Sequence, residues 1–393
     1  MKGLLFELIT EVEASENLGY LHQEGLSNGM AGLAYYYYHL FKITQHRPFL
    51  DKSISYIERV LFLVGKEEQL ITYYASNLAF GLSGLAFTIN EFDQKNELLF
   101  SVRSMIRDID DLIGQAMLQQ LGYGHFSILF GFSGSLFYFN CKSDKAAVKM
   151  ITDTLEQLLL QTGFRNFKSL EEYFTKTFRS ATASLNFSFI HGLSGLFYVL
   201  LLIAIKHKNV DSKFNLKAVL HSFLSYLLEN YLSDESQSNI FNVYRNKINA
   251  PPQRQQIFAA HLNDLYMLIF IKKYSMFYND RSFKTTTDVL ITKAIRNNSF
   301  IQQNLVEEIA LVEATTITEL LKKLLVYTDD PELWKTYQLM NAVIDKCIAL
   351  RFKKETTWDQ KLKLINGYPS VILNRASHFY PEKATSWSKV LML

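Results

Sequence analysis

The residue best placed to do chemistry is a histidine at the start of a very apolar stretch. Residues 187–197 read FSFIHGLSGLF, so His191 stands directly before two glycines three positions apart. Glycines at a helix start permit close backbone approach and unusual dihedral angles. They also leave the first N–H groups of the helix bare, and the partial positive charge of these groups favours an anion. The sequence therefore predicts a helix N-terminus with an imidazole beside it.

Few other side chains combine into a catalytic or metal-binding pattern. The two cysteines, Cys141 and Cys347, are far apart and form neither a disulfide framework nor a C-x-x-C knuckle. The aspartates of RDIDD, at 107–111, fall on the polar side of an amphipathic segment, which favours a solvated face. No Walker A, Rossmann or serine-nucleophile motif occurs in a usable context.

Composition and charge restrict the class of protein. Of the 393 residues, 48% are hydrophobic and 20% are charged, and the net charge of +3 gives no electrostatic footprint for nucleic acid. Glu7, Glu11 and Glu13 stand where a signal peptide needs an unbroken apolar core. The most apolar stretch, 187–205, has too short a continuous apolar run for a membrane span. We therefore predict a cytoplasmic protein with no nucleic-acid partner and no transmembrane segment.

The glycine pair that follows His191 is one copy of a repeat. The pattern G-x-[AS]-G, followed by an apolar and aromatic run, occurs four times, and the first glycines lie 52, 50 and 61 residues apart. Four copies at such regular spacing indicate a repeat architecture. The pairs are Gly29 and Gly32, Gly81 and Gly84, Gly131 and Gly134, and Gly192 and Gly195.

The segments between the copies have an apolar stripe on one side only. In 98–113 and again in 216–227, aliphatic and aromatic residues recur at helical spacing, with polar residues between them. A helix that is apolar on all sides must be surrounded, whereas a one-sided helix can face water. These patterns predict buried inner helices paired with amphipathic outer helices. A closed ring of such hairpins leaves no exposed end.

Weaker copies extend the repeat to seven helical hairpins. Apolar runs begin near Asn263, Ala314 and Gly367, although only the last of these positions keeps the glycine. The polar stretch 232–256 is typical of a surface loop, because the periodicity resumes beyond it. We therefore predict an all-α protein in which residues 1–393 form a single domain.

This arrangement resembles the lanthionine synthetase C-like family, the lanthipeptide cyclases. The closing segments DDPELW at 329–334 and WSKVL at 387–391 strengthen the resemblance. It implies an α/α toroid, a double-layered barrel with a zinc ion held by one Cys and a Cys-His pair. In the family, zinc lowers the pKa of a cysteine thiol in a precursor peptide, and the thiolate adds to a dehydroamino acid to form a thioether ring. By position, His191 is the family's acid or base.

The zinc ligands of the family are missing from this chain. His261 occupies the first ligand position, and Val312 and Glu313 replace the Cys-His pair. Ser127 stands where the family has an acidic residue. No cysteine occurs between positions 142 and 346, so no change of register restores a Cys₂His site.

Two interpretations of this altered centre remain open. In one, His191, His261 and Glu313 converge as a His₂Glu zinc set, which other zinc proteins use. In the other, which we favour, the metal site is degenerate, no cofactor is expected, and the toroid is retained for binding.

Three functions are compatible with these features. The first is binding of a dehydrated precursor peptide and assistance of lanthionine cyclisation. The second is a non-catalytic scaffold, a pseudoenzyme, that binds the precursor peptide or a dehydratase partner. The third is a glycan-processing toroid, which would need two carboxylates beside the scissile bond. The predicted inner-helix starts offer only Asp264 and Glu313 for that chemistry.

Overall fold

The chain is helical through its described residues. The computed structural model describes residues 2–16, 25–27, 29–64, 77–93, 103–162, 186–232, 240–241, 254–308, 311–351, 364, 367–381 and 386–391. Within these ranges the sole extended pairing is an isolated antiparallel bridge between Leu232 and Phe241. No helix in this part of the chain is both long enough and apolar enough to cross a membrane.

The helices follow the repeat. In chain order they are α1 (Lys2–Glu16), α2 (Met30–Thr44), α3 (Arg47–Val64), α4 (Leu82–Asp93), α5 (Arg103–Gly122), α6 (Phe132–Cys141), α7 (Lys145–Thr162), α8 (Leu193–Lys206), α9 (Lys208–Phe214), α10 (Leu216–Tyr231), α11 (Arg254–Phe277), α12 (Arg281–Glu308), α13 (Leu311–Leu325), α14 (Pro331–Arg351) and α15 (Tyr368–Phe379). A short 3₁₀ helix spans Ser386–Leu391.

Helices that start at a repeat glycine are buried on all sides. In α6 every residue from Phe132 to Asn140 is buried, and in α8 burial is continuous from Leu193 to Leu201. By contrast, α3 buries seven of its 18 residues, spaced along one stripe. The predicted pairing of surrounded inner helices with one-sided outer helices is therefore present in the first repeats.

The described helices belong to two compact units. Unit 1 comprises residues 1–110 and 298–393, and unit 2 comprises residues 111–297. In unit 1, α2 packs on α3, α4 and α15, α13 packs on α14 and α15, and α1 packs beside α15. In unit 2, α6 packs on α7 and α8, and α8 also contacts α9, α10 and α11. The single domain over 1–393 stays a prediction.

The 3₁₀ helix near the C-terminus packs against inner helices of unit 1. Trp387 is buried, and its carbonyl oxygen accepts a hydrogen bond from the Tyr35 hydroxyl at 3.0 Å. Lys389 Nζ lies 2.8 Å from the buried carboxylate of Glu91 on α4. This segment therefore completes the packing of α2 and α4.

A lysine at the end of α8 closes the C-terminal end of α6. Lys206 Nζ donates to the carbonyl oxygens of residues 140, 141 and 142 at 2.6, 3.3 and 2.6 Å. The last carbonyls of a helix lack partners within that helix, and a cation there is favourable. We expect Lys206→Met to lower the free energy of unfolding by about 1–2 kcal/mol, measured by urea denaturation.

Lys213→Met is the control for this lysine. Lys213 forms an ion pair with Glu156, and both side chains are about half exposed. Loss of such a surface pair should cost less than about 1 kcal/mol. Equal losses in the two variants would contradict a capping role for Lys206.

Candidate functional site

Each glycine repeat is a tight turn that folds back onto the helix it precedes. The first N–H group of α6, on Phe132, donates to the carbonyl of His125 at 2.8 Å. In the same way Leu193, the first residue of α8, donates to Asn186 at 2.8 Å. Because the turn supplies these acceptors, the two N–H groups are already satisfied. The expectation that they are bare and available to an anion is therefore wrong for α6 and α8.

The glycines are required by space and not by an unusual dihedral angle. Gly192 has φ −138° and ψ −163°, which is extended backbone open to any residue. A Cβ atom on Gly192 would overlap the carbonyl oxygen of Asn186, and one on Gly195 would overlap that of Phe189. The same overlap with a turn carbonyl recurs at Gly32, Gly84 and Gly131. The turn backbone therefore lies directly against the first turn of the helix.

Neighbouring turns are joined by backbone hydrogen bonds. In unit 1, Leu364 N–H donates to Ser27 at 2.8 Å, and Ser27 N–H donates to Ala79 at 2.7 Å. In unit 2, Ile128 N–H donates to the Ile190 carbonyl at 3.0 Å. Each of these residues lies two or three positions before the first glycine of its own repeat. We refer to these hydrogen bonds between successive turns as the turn ladder.

His191 stands at the end of the turn that receives the Ile128 hydrogen bond. Its imidazole lies parallel to the ring of Phe130, with 5.7 Å between ring centroids, and the residue as a whole is exposed. Partial burial lowers the pKa of His191 below its ordinary value. The imidazole is therefore neutral at pH 7, the form that can accept a proton.

The fifth repeat has no glycine turn. Helix α11 begins at Arg254, so His261 and Asn263 lie inside a continuous helix, and the helix start expected near Asn263 is wrong. The reason is local: residues 254–262, RQQIFAAHL, are good or neutral helix formers without glycine or proline. His261 is 5% exposed, and burial lowers its pKa to about 4.

Asn263 takes the place of the missing turn in the ladder. Its side-chain oxygen Oδ1 accepts the N–H of Phe189 at 2.7 Å. Phe189 lies three positions before Gly192, the register from which Ile128 and Leu364 also donate. A side-chain carbonyl thus replaces a backbone carbonyl at this step.

Asp264, the next residue, holds part of the segment that precedes α11. Its carboxylate oxygens accept the N–H groups of Ile240 and Phe241 at 2.7 and 2.9 Å, and all three residues are buried. Burial raises the pKa of Asp264 to about 7, against the opposing effect of the two N–H donors and of Lys293. Since both oxygens are engaged with backbone, Asp264 is a poor candidate for the carboxylate of a glycan-processing enzyme.

The remaining predicted site residues are not brought together by the described structure. Val312 and Glu313 lie in the first turn of α13, but their side chains fall outside the described residues. Cys141 ends α6 and Cys347 lies in α14, and neither is part of a disulfide.

The donor set does not match the zinc site that the family implies. Among the side chains that the structure describes, no three His, Cys, Asp or Glu residues are grouped to hold a metal ion. His261 offers one imidazole where a thiolate would be needed, and Cys141 and Cys347 belong to other elements. The residues present at these positions therefore do not fit the zinc ion of the family. The His₂Glu alternative depends on Glu313 and stays a prediction.

Comparison with known proteins defines the class of fold and then the family. The solved structure of nisin cyclase, an α/α toroid, matches with a TM-score of 0.63 and 14% sequence identity, over 100% of this chain and 96% of that one. The likeness confirms the predicted all-α toroid. A family model described as "Lanthionine synthetase C-like protein" matches residues 21–256, more than half of the chain. The chain belongs to this family. No curated protein matches the sequence.

Sequence reasoning missed the side chains that surround His191. Phe130, which stacks on the imidazole, occupies the position before the first glycine of its repeat, as His191 does. Phe80 occupies the same position in the second repeat and is 43% exposed. The recurrence of a ring directly before Gly81, Gly131 and Gly192 was the available signal.

Proposed function

We propose that this protein binds a dehydrated precursor peptide in the cytoplasm and assists lanthionine cyclisation without the Cys₂His zinc ligands of its family. Family membership supports the pathway. The observation that carries the reaction is His191, an exposed imidazole with a lowered pKa at the fourth repeat turn. A base at this place can act on a peptide that reaches the ring.

The reaction needs a proton to be taken from sulfur and returned to carbon. A cysteine thiol of the peptide loses its proton, and the sulfur adds to Cβ of a dehydroalanine or dehydrobutyrine. A C–S bond forms, the C=C π bond breaks, and the resulting enolate takes a proton at Cα, so the mass is unchanged. A free thiol with a pKa of about 8.5 is mostly protonated at pH 7. His191 would accept that proton and, as imidazolium, deliver it to Cα.

The test is cyclisation of a model peptide that contains one cysteine and one dehydroalanine. Free thiol is alkylated and counted by mass spectrometry at pH 7, because cyclisation itself does not change the mass. We expect the wild-type protein to accelerate loss of free thiol over the uncatalysed reaction. His191→Gln should lower this acceleration by at least about a hundredfold, the usual contribution of a general acid–base.

The exposed histidine His46 provides the control. His46→Gln should cyclise the peptide like the wild type. Equal rates for wild type, His191→Gln and the uncatalysed reaction would overturn the catalytic proposal.

A second candidate is favoured by the missing zinc ligands: His261 and Val312 stand where the family has cysteines, and Glu313 stands where it has a histidine. In this alternative the toroid is a scaffold that holds the precursor peptide, or a dehydratase partner, and catalyses nothing. Peptide that binds but alkylates at the uncatalysed rate would support it.

A further inference from the structure

The turn that carries His191 is held by residues from the repeats on both sides of it in sequence. From the third repeat, Ile128 N–H and the Ser127 hydroxyl both donate to the carbonyl of Ile190, each at 3.0 Å. Ile190 is the residue directly before His191. Its carbonyl therefore cannot rotate without breaking two hydrogen bonds.

On the other side, the fifth repeat holds Phe189. Asn263 accepts its N–H at 2.7 Å, and the ring of Tyr266 stacks on the Phe189 ring with centroids 4.4 Å apart. Phe189, Asn263 and Tyr266 are all buried, so solvent does not compete for this N–H. The two residues before His191 are thus fixed from opposite directions, by Ser127 and Asn263.

Ser127 also links this turn to the ring that stacks on His191. Its hydroxyl oxygen accepts the N–H of Phe130 at 3.2 Å while donating to Ile190. The Ser127 side chain therefore holds both the backbone of Ile190, next to His191, and the backbone of Phe130, whose ring lies beside the imidazole. The hydrogen bonds of Ser127 and Asn263 go to Ile190, Phe130 and Phe189, so they act on His191 through its turn.

We propose that Ser127 and Asn263 are positioning residues for His191, which hold its turn between the third and fifth repeats and keep the imidazole against Phe130. Their importance for cyclisation rests on the proposed function, but their effect on the place of the ring does not. Loss of either hydrogen bond should free the turn and let the imidazole leave Phe130, while the surrounding inner helices stay folded.

The experiment observes the imidazole itself. Full-length protein with ¹³C-labelled histidine gives ring signals from nine residues, and the His191 signal is identified by its absence in His191→Gln. Stacking on Phe130 displaces the wild-type signal. In Asn263→Ala and in Ser127→Ala, we expect it to move away from the wild-type position, and Ser127→Thr, which keeps the hydroxyl, should restore it.

Asn77→Ala is the matched control for lost stability. Asn77 is also buried and its side-chain oxygen also accepts a turn N–H, that of Phe80, at 2.6 Å, but it belongs to the second repeat. It should lower Tm as Asn263→Ala does and leave the His191 signal in place.

A second measurement follows the hydrogen bond from Ile128 to Ile190, in which Asn263 takes no part. We expect amide exchange in the peptic fragment containing Ile128 to become roughly fivefold faster in Asn263→Ala, because the Ile190 carbonyl is then held from the third repeat alone and its turn opens more often. An unmoved His191 signal in both alanine variants would overturn the proposal. Neither measurement uses a peptide substrate. The test of the positioning role is therefore independent of whether His191→Gln affects cyclisation.

Discussion

Gly195→Ala should destabilise the protein by about 2–4 kcal/mol, even though alanine is the better helix former. Gly195 is the third residue of α8, where propensity alone predicts a gain of about 1 kcal/mol. A Cβ there would overlap the carbonyl oxygen of Phe189 and crowd the side chain of Ile128. The carbonyl belongs to the turn and cannot move without disturbing the turn ladder, so steric conflict exceeds the gain in propensity. Chemical denaturation of the variant measures the difference.

Gly122→Ala, in the same unit, separates the effect of helix propensity from that of steric conflict. Gly122 is the last residue of α5, and no atom lies within 4 Å of the place that its Cβ would occupy. This substitution should therefore be neutral or stabilise by up to about 1 kcal/mol. If Gly195→Ala lowers the free energy of unfolding no more than Gly122→Ala does, the close approach of turn and helix is contradicted.

Asp264→Ala should lower the free energy of unfolding by about 2–5 kcal/mol at pH 5, measured by chemical denaturation. The substitution leaves the N–H groups of Ile240 and Phe241 buried without their acceptor, and each such group costs about 1–3 kcal/mol. Asp144→Ala is the control: Asp144 is exposed and accepts one N–H, from Ala147 at 2.7 Å, as the cap of α7. Its loss should cost about 1 kcal/mol.

The same carboxyl gives the stability a pH dependence of known sign. Burial raises the pKa of Asp264 to about 7 in the folded protein, above the value of about 3.9 expected in the unfolded chain. Between these values the folded state binds more protons, so stability falls as the pH rises. The difference in free energy of unfolding between wild type and Asp264→Ala should therefore become smaller from pH 4 to pH 7. If this difference becomes larger, the two N–H donors outweigh burial and hold the pKa of Asp264 low.

The repeats that carry glycine pairs could be placed from the sequence because their cause is local. A turn that lies on its own helix needs glycine at two fixed positions, so Gly131 and Gly192 mark the starts of α6 and α8 within one residue. The fifth repeat lacks that constraint, and its helix extends seven residues ahead of His261. Without a glycine, the repeat pattern does not mark where this helix begins.

The candidate site was predictable only in part. His191 was identified by its place in the repeat, but the hydrogen bond from Phe189 to Asn263 joins residues 74 positions apart. Likewise, the sequence offers Asp264 as a carboxylate at a predicted helix start, because its partners, Ile240 and Phe241, lie in a stretch with no pattern of its own. Such contacts depend on the packed fold and leave no periodic signal in the chain.

The division into units has a consequence for the order of events during translation. Unit 2 is one continuous stretch, 111–297, and all of its residues have left the ribosome while the last part of the chain is still being made. Unit 1 draws on both ends, and its inner helices α2 and α4 contact Trp387 and Lys389. Domains generally fold as units during synthesis. Helices α2 and α4 are therefore synthesised well before Trp387 and Lys389, and we expect their packing to be completed only after unit 2 has been made.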